Sequence, residues 1–355
     1  MNEETHKRRA HYAGKYPRKF EEKYKELNPE KYGETVRHVM EKGSTPAGMH
    51  LSIMVPEVLE VLSIRPGQRG LDATLGYGGH TEHMLRALGG KGHLTALDID
   101  PIESQKTAAR LRKAGYGEDI LTIRNLNFAR IDRVAEEDGP FDFVLADLGV
   151  SSMQIDDPKR GFSYKIDGPL DLRMDPLHGE SAAERLHGIT EEEFEGMLRE
   201  NSDEPYAAEI AGKVFSLMKK GDPMDTTRAL YHAVEEALWK EGKGLPEPEK
   251  KELISKAARR TFQALRIDVN SEFESLYAFL EKLPSVLSPG GRAAILTFHS
   301  GEDRLVKKSF KEFRKNGWYS EISDTCIRPS AEECRGNGRA HSTKLRYAVR
   351  SAEQR

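Results

Sequence analysis

Cysteine is scarce in this chain of 355 residues, which has only Cys326 and Cys334. Two cysteines are too few for a disulfide framework, and this pair is too widely spaced for a Cys-x-x-Cys zinc knuckle. No apolar run approaches the ~20 residues of a membrane-spanning helix, and residues 1–18 lack the apolar core of a secretory signal. No cluster of metal-ligating residues is evident either. We therefore expect a cytoplasmic protein that needs neither a membrane nor a metal ion.

Aliphatic residues are sparse at the N-terminus, where residues 1–47 are polar, basic and rich in Lys, Glu and Tyr. Such a segment cannot bury enough apolar surface to form a core, so we predict an extension. We assign residues 48–164 and 259–355 to an α/β domain. Residues 165–258 are charged and helix-forming and hold no strand candidates, so we predict that they form an inserted helical domain.

The net charge of −3 conceals a segregation of charge along the chain. Lys and Arg outnumber Asp and Glu by 8 to 4 over residues 1–25 and by 13 to 6 over residues 304–355, whereas residues 155–205 hold 6 against 14. Basic ends that flank an acidic middle favour a protein that meets phosphate with selected surfaces. A solvated face is the alternative explanation of any charge run. Charge alone therefore makes nucleic acid one candidate partner.

Short apolar segments alternate with helix-forming segments after residue 70. We predict strands at residues 70–74, 94–98, 120–124 and 141–146, and helices at 81–88 and 102–114. After the predicted insert the pattern resumes with a helix at 273–280, a Ser-Pro-Gly-Gly turn at 288–291 and a strand at 292–298. Such alternation implies an α/β fold with a mainly parallel sheet and helices on both faces.

A glycine-rich loop follows the first predicted strand and opens a helix; it reads Asp72-Ala73-Thr74-Leu75-Gly76-Tyr77-Gly78-Gly79-His80. Its glycines let the backbone approach a ligand, and Asp98 ends the next strand, where a carboxylate can accept hydrogen bonds from ribose hydroxyls. A dinucleotide loop would have glycine at position 81, which is Thr, and Asp72 suits a positive ligand better than a pyrophosphate. We therefore predict S-adenosyl-L-methionine as the cofactor, with a dinucleotide and a merely structural turn as alternatives.

Longer motifs carry a resemblance to a known family. They lie at residues 72–80, 147–154, 160–163, 167–174, 261–267, 269–270, 289–292 and 298–304. In this order, and over roughly residues 50–350, they resemble the bacterial small-subunit ribosomal RNA cytosine-N4 methyltransferases, the RsmH or MraW family. The resemblance implies a class I, Rossmann-like, S-adenosylmethionine-dependent methyltransferase with an inserted helical domain. The implied partner is 16S ribosomal RNA or the small ribosomal subunit, and a homodimer is an open alternative to a monomer.

The resemblance also implies which residues form the site. The cofactor-binding positions of the family fall on Gly78, Gly79, His80, Asp98, Phe128, Asp147 and Gln154. As catalytic residues we predict Asp147, Ser151 on the same loop, and His299 at the end of the fifth predicted strand. Asp147 has the chemistry to serve the cofactor or the acceptor amine, and a structural histidine is the alternative for His299.

Residue chemistry favours nitrogen as the methyl acceptor. Methylation of cytosine at C5 usually requires a cysteine nucleophile, and both cysteines lie in the C-terminal tail, away from any strand-end motif. An amine can attack the sulfonium directly if it is held in line with the methyl group. We expect a flipped nucleotide with Lys344 and Arg346 on RNA phosphates, while Arg266 and Asn270 either clamp a phosphate or brace the insert.

Several positions depart from the family's pattern. The first 45 or so residues have no counterpart in most members, Ser52 replaces a usual proline, Gly301 replaces a usual leucine, and residues 337–342 differ from the typical tail. These departures indicate a divergent paralogue with an N-terminal extension. Two alternative functions therefore stay open: methylation of another RNA position, and a catalytically silent ribosome-assembly factor.

Overall fold

The computed structural model describes residues 52–352, and the predicted N-terminal extension lies outside that range. A seven-stranded sheet has the order β3-β2-β1-β4-β5-β7-β6. Its strands are β1 (Arg69–Asp72), β2 (His93–Asp98), β3 (Leu121–Asn125), β4 (Phe141–Asp147), β5 (Leu287–Thr297), β6 (Tyr319–Ile322) and β7 (Lys344–Arg350). Strands β1 to β5 are parallel, and β7 is antiparallel to both β5 and β6. The predicted mainly parallel α/β fold is confirmed.

Thirteen α-helices are found among the described residues. They are α1 (Val55–Leu62), α2 (Gly79–Leu88), α3 (Pro101–Lys113), α4 (Ile131–Asp138), α5 (Ser152–Asp156), α6 (Ala182–Gly188), α7 (Glu191–Ser202), α8 (Ala207–Lys219), α9 (Thr227–Ala237), α10 (Glu247–Val269), α11 (Glu272–Val286), α12 (Ser300–Lys315) and α13 (Ala331–Gly336). Across residues 52–352, no helix has both the length and the apolar character that crossing a membrane demands.

Parallel pairing brings the carboxyl ends of three strands to one edge of the sheet. Strands β1, β2 and β4 end in Asp72, Asp98 and Asp147. In the register, Asp72 lies opposite Ala96 of β2 and opposite Leu145 of β4, so the three strand ends are neighbours. Ligands of open α/β sheets bind at this edge.

The apolar residues of the sheet alternate between two cores, because successive side chains of a strand point to opposite faces. In β4, for example, Val144 and Ala146 belong to one core and Phe143 and Leu145 to the other. Covering by helices on both faces explains why the middle of β4 is apolar without interruption.

A third core joins helices α6 to α10, with Phe194, Ile210, Leu230 and Leu265 among its buried residues. The segment predicted as an inserted domain thus packs largely around its own apolar residues. Helix α10 runs without interruption through the predicted limit at residue 258. The boundaries at 165 and 258 stay predictions.

The predicted turn at residues 288–291 is wrong as a strand boundary, because β5 already begins at Leu287. The pairing with β4 shifts between the Phe141–Leu287 pair and the Phe143–Arg292 pair, so the four residues in between bulge out of the ladder. Gly290 has a φ of +76°, a conformation that glycine adopts without strain. The turn-forming residues therefore make a bulge inside a longer strand.

Candidate active site

The loop after β1 is organised around Asp72. Its Oδ1 accepts a hydrogen bond from the backbone N–H of Thr74 (3.1 Å), and its Oδ2 accepts one from the Thr81 hydroxyl (2.6 Å). Thr81 therefore ties the first turn of α2 to the end of β1, which explains threonine where a dinucleotide loop has glycine. Asp72 is buried, and burial raises its pKa to about 6. Its hydrogen bonds hold the loop, and it is not among the residues that line the cavity described below; its place beside the ligand stays a prediction.

Glycine geometry shapes the rest of this loop. Gly76 and Gly78 have φ values of +49° and +78°. A Cβ on Gly78 would lie 2.8 Å from Cγ2 of Thr107, so α3 packs directly against the loop. Gly78 precedes α2 and Gly79 begins it, which places the predicted pair at a helix N-terminus, where the N–H of Gly78 donates to the carbonyl of Leu75 (2.7 Å).

Asp98, at the end of β2, lines the cavity beside this loop. Its Oδ2 accepts a hydrogen bond from the N–H of Gly76 (2.7 Å), and its Oδ1 accepts one from the N–H of Asp100 (2.8 Å). Burial raises the pKa of Asp98 to about 7, even though both backbone donors favour the charged form. Each oxygen has a second lone pair that a hydroxyl donor can use.

Asp147, at the end of β4, carries a carboxylate that the protein leaves only partly compensated. Its backbone N–H donates to the Thr74 hydroxyl (2.6 Å), and its Oδ2 lies 3.5 Å from Nε2 of His80. Its Oδ1 is buried and accepts no hydrogen bond within the part of the chain that the structure describes. Burial, followed by the negative charges of Asp72 and Glu302, raises the pKa of Asp147 to about 8.

The cavity at this edge of the sheet has a volume of about 880 Å³, counting the open space at its mouth. Of the predicted site residues, Asp98, Phe128, Ser151 and Gln154 line it. Gly78, Gly79, His80 and Asp147 adjoin the lining through the β1 loop, and His299 adjoins it through Glu302 and Phe273. The structure thus brings all of the predicted residues to one edge, four of them into the wall itself.

Ser151 and Gln154 form a capping box at the start of α5. The Ser151 hydroxyl accepts the N–H of Gln154 (3.2 Å), and Oε1 of Gln154 accepts the N–H of Ser151 (2.9 Å). The amide of Gln154 also donates to Oδ2 of Asp100 (2.8 Å), which Arg160 contacts at 2.7 Å. Both ends of the Gln154 amide are therefore occupied, and the side chain fixes the loop that carries Asp147.

Phe128 lies in the cavity wall after β3. Its ring packs edge to face on Phe279, with the ring centroids 5.3 Å apart. Phe128 therefore packs on the apolar core with one part of its ring and lines the cavity with another. It lies where the sequence predicts a cofactor-binding residue.

His299 is bound into the start of α12. Its Nδ1 accepts the N–H of Glu302 (3.5 Å), and its Nε2 lies 3.1 Å from Oε1 of the same residue. Glu302 is buried; although burial raises its pKa, the hydrogen bonds from His299 and from the N–H of Phe298 outweigh that effect and lower it overall. Glu302 therefore remains ionised beside the cavity.

Glu272, His299 and Glu302 lie close enough together to hold a metal ion, a grouping that the sequence did not show. However, the guanidinium of Arg266 donates to both oxygens of Glu272 (2.7 and 2.9 Å), and Oε2 of Glu302 accepts the N–H of Phe298 (2.8 Å). These donors compete directly with a cation for the carboxylates.

Arg266 and Asn270 brace the chain. Besides the ion pair of Arg266 with Glu272, the Asn270 amide accepts the N–H of Met174 (2.6 Å) and donates to the carbonyl of Leu172 (2.8 Å). The sequence left two roles open for these residues, clamping a phosphate or bracing the insert. The observed contacts of both side chains are those of a brace.

The prediction that Arg346 binds RNA phosphates is wrong. Arg346 is buried and donates to Oδ1 of Asp303 (2.6 Å), and Lys344 donates to Oδ2 of the same carboxylate (2.9 Å). Alternate residues of β7 point to the same face, so both cations meet Asp303 at the start of α12. Asp303 thus fastens α12 to the sheet.

Sequence reasoning did not single out several residues of the cavity wall, namely Thr74, Met174, Glu272 and Phe273. Thr74 and Met174 lie inside the motifs at residues 72–80 and 167–174, whereas Glu272 and Phe273 lie outside every motif. No local pattern links Met174 or Phe273 to the loop after β1. The polar Asn270-Ser271-Glu272 between two helices was the available signal.

The site suits a positively charged nucleoside. Asp98 offers two carboxylate oxygens at the end of β2, and Asp147 adds a partly exposed carboxyl group at the end of β4, whose raised pKa a nearby cation would lower. Together with the strand order and the antiparallel β7, these features define a class I, Rossmann-like, S-adenosylmethionine-dependent methyltransferase. A family model described as the MraW methylase family matches residues 47–351, and the chain belongs to this family.

Relatives cover nearly the whole chain. The ribosomal RNA small subunit methyltransferase H 1 of Agathobacter rectalis is 63% identical over 98% of this chain and 99% of its own length. The ribosomal RNA small subunit methyltransferase H 2 of Alkaliphilus metalliredigens is 58% identical over 99% of both chains. The ribosomal RNA small subunit methyltransferase H of Thioalkalivibrio sulfidiphilus is 38% identical over 86% of this chain and 99% of its own. The predicted family is confirmed.

Proposed function

We propose that this protein transfers a methyl group from S-adenosylmethionine to the N4 amine of a cytosine in small-subunit, 16S ribosomal RNA. Family membership and relatives that are named for this RNA support the substrate class. The observation that carries the chemistry is the carboxylate of Asp147, which ends β4 directly before the cavity-lining residues Leu148 and Gly149 and has a side chain that is 30% exposed. An amine can donate N–H groups to such a carboxylate.

On the cofactor side, we assign the ribose hydroxyls to Asp98 and the adenine to the part of the wall that holds Phe128. The N-terminus of α2, which begins at Gly79, suits the carboxylate of the methionine moiety, because a helix N-terminus favours negative charge. His80 orients the carboxylate of Asp147 from 3.5 Å. When bound, the cofactor supplies a methyl group on a positive sulfonium.

On the acceptor side, we assign Asp147 to the N4 amine. The nitrogen lone pair of cytosine is delocalised into the ring, so an acceptor for its N–H bonds that is held in position favours the attacking geometry. Ser151 lines the same wall, and its hydroxyl hydrogen is free to donate because the oxygen serves as the acceptor in the α5 cap. We propose His299 as a positioning residue that keeps Glu302 charged beside this centre.

The cysteines support nitrogen rather than carbon as the acceptor atom. Neither Cys326 nor Cys334 lines the cavity, so C5 chemistry through a thiolate has no nucleophile there among the described residues.

The helical segment is proposed as the part that presents RNA to the site. Met174, before α6, and Asn270, just after α10, line the cavity, so the segment that holds helices α6 to α10 meets the cavity at both of its ends. A base that enters a recessed wall of this kind must leave its stack, which fits a flipped nucleotide.

The test is methyl transfer from labelled S-adenosylmethionine to small subunits from cells that lack the gene, followed by nucleoside mass spectrometry. We expect N4-methylcytidine at one position of 16S ribosomal RNA, and its absence in RNA from the deletion strain. A methylated nucleoside of another kind would replace this proposal with a different RNA position. Cofactor binding without transfer to free RNA or to subunits would instead indicate a silent assembly factor.

A further inference from the structure

Phe273 forms part of the cavity wall at the start of α11. The turn before it is held by Asn270, whose amide bonds Met174, Leu172 and Arg266. On one side, the ring contacts His299, with ring centroids 5.8 Å apart and planes inclined by 52°. The ring therefore has a supported position in the wall.

Gly301, in the first turn of α12, leaves the space that this ring occupies. A Cβ on Gly301 would lie 2.6 Å from Cζ and 3.2 Å from Cε1 of Phe273. The backbone of Gly301 does not have a positive φ, so its conformation does not call for glycine. Glycine weakens a helix relative to alanine, and here the ring contact is the physical reason for it.

The two aromatic rings of the wall lie in different surroundings. Phe128 follows β3 and packs on Phe279. Phe273 lies beside Gly301, which closely follows β5, and β5 is the neighbour of β4, where Asp147 pairs with Leu296. Phe273 is thus the ring on the side of the proposed acceptor amine.

We propose that Phe273 stacks on the target base and holds its amine at Asp147, and that Gly301 sets the position of the ring. This inference rests on the proposed function. Every base has a π-face, so an aromatic side chain can stack on any base without base-specific hydrogen bonds. Asp147, which accepts hydrogen bonds from the amine, therefore selects a base that carries an amine.

The first test is Phe273→Ala, with Phe273→His as the variant that keeps an aromatic ring and adds no atom beyond Cζ, which faces Gly301. Methyl transfer is measured on small subunits that lack the modification, and cofactor affinity by calorimetry. We expect kcat/KM for the subunits to fall about 5- to 100-fold in Phe273→Ala, the range for loss of one stacked base, and to fall less in Phe273→His, which keeps a π-face. Cofactor affinity should change less than about twofold in both.

A fall in cofactor affinity, or an unchanged kcat/KM in Phe273→Ala, would overturn the assignment of this ring to the base. Failure of the wild-type protein to methylate RNA would count against the proposed function itself. The two failures are therefore distinguishable.

The second test is a double-mutant cycle with Gly301→Ala. We expect a loss of about fivefold or more in kcat/KM in the wild-type background and less than about twofold in the Phe273→Ala background, because the displaced ring is then absent. Gly196→Ala, in α7, is the control, since a Cβ there meets nothing within 4 Å. Equal losses in the two backgrounds would overturn the role of Gly301.

Discussion

Two groups of buried carboxylates in this protein differ in how fully they are compensated. Asp100 is fully buried; its Oδ1 accepts the N–H groups of Ile102 and Glu103, and its Oδ2 accepts hydrogen bonds from Gln154 and Arg160. Asp147, at the rim of the sheet, has one buried oxygen with no partner among residues 52–352. Both residues end segments that surround the same cavity.

The titration behaviour of the carboxylates follows this difference. Burial raises the pKa of Asp98 to about 7 and that of Asp147 to about 8. Burial also acts on Asp303, but Arg346 and Lys344 lower its pKa overall. Asp303 meets two cations of the fold, whereas Asp98 accepts backbone N–H groups and Asp147 keeps one oxygen without a hydrogen bond among residues 52–352. A cationic partner within the fold therefore decides whether the pKa of the buried carboxyl group is lowered.

Breaking the structural group should have the largest effect. Arg160→Met leaves the buried charge of Asp100 without its ion-pair partner, so we expect the free energy of unfolding to fall by about 3 kcal/mol or more in urea titrations. The double variant Asp100→Asn/Arg160→Met should recover part of this loss, because no unpaired charge remains. A loss below about 1 kcal/mol in the single variant would contradict the structural role.

Removing the charge of Asp98 should act on the ligand rather than on the fold. We expect Asp98→Asn to weaken S-adenosylmethionine binding about 10- to 100-fold in calorimetry, the range for a hydrogen bond to a charged group. The exposed Asp119→Asn, on the loop before β3, is the matched control and should bind normally. Unchanged affinity in Asp98→Asn would remove this residue from the ligand site.

Asp147 should show the opposite relation between stability and activity. Its unfolded carboxyl ionises near the ordinary value of 3.8 and its folded carboxyl near pH 8, so the folded state binds more protons between these values. The free energy of unfolding contributed by this group therefore falls as pH rises across that window. We expect Asp147→Asn to stabilise the ligand-free protein at pH 8.5 by about 1–2 kcal/mol, a value reduced because solvent reaches part of the side chain.

Unfolding titrations and methyl-transfer assays check this. The free energies of unfolding of Asp147→Asn and of the wild type should agree near pH 4 and differ at pH 8.5. The methyl-transfer rate of Asp147→Asn should be lower than that of the wild type at every pH. A destabilised Asp147→Asn at pH 8.5 would show that the carboxylate has a partner in the fold after all.

The smallest effect is expected at an exposed ion pair. Arg304 and Asp203 are 3.0 Å apart, but their side chains are 65% and 58% exposed. We expect Arg304→Ala to change the free energy of unfolding by less than about 0.5 kcal/mol, with normal methyl transfer. A larger loss would mean that the short distance between the two charges, and not their burial, determines how much the ion pair contributes to the free energy of unfolding.

Much of the fold was predictable because it follows from local patterns. The alternation of apolar segments with helical ones predicted the parallel sheet, and glycines and aspartates at strand ends predicted its functional edge. The bulge at residues 288–291 was not predictable, because a Ser-Pro-Gly-Gly segment can end a strand or interrupt one, and only the pairing with β4 decides between them.

Side-chain partners were the less predictable part. Arg346 looked available for phosphate, yet Asp303, 43 residues earlier, takes it up. Gln154 lines the cavity, but the contact of its amide with Asp100, 54 residues away, was not predictable from the sequence. Gly301 lies in the motif at residues 298–304, but Phe273, the residue it contacts, lies outside every motif.

The sequence by itself determined the alternation of strands and helices, the loop glycines and the three aspartates that end β1, β2 and β4, because backbone conformation and strand periodicity are local properties. Only the tertiary structure decided which of the aspartates keeps an unpaired oxygen, since that depends on donors brought from distant segments. The aspartate at position 72 therefore holds the loop, whereas the aspartate at position 147 has a carboxylate oxygen without a hydrogen bond among residues 52–352.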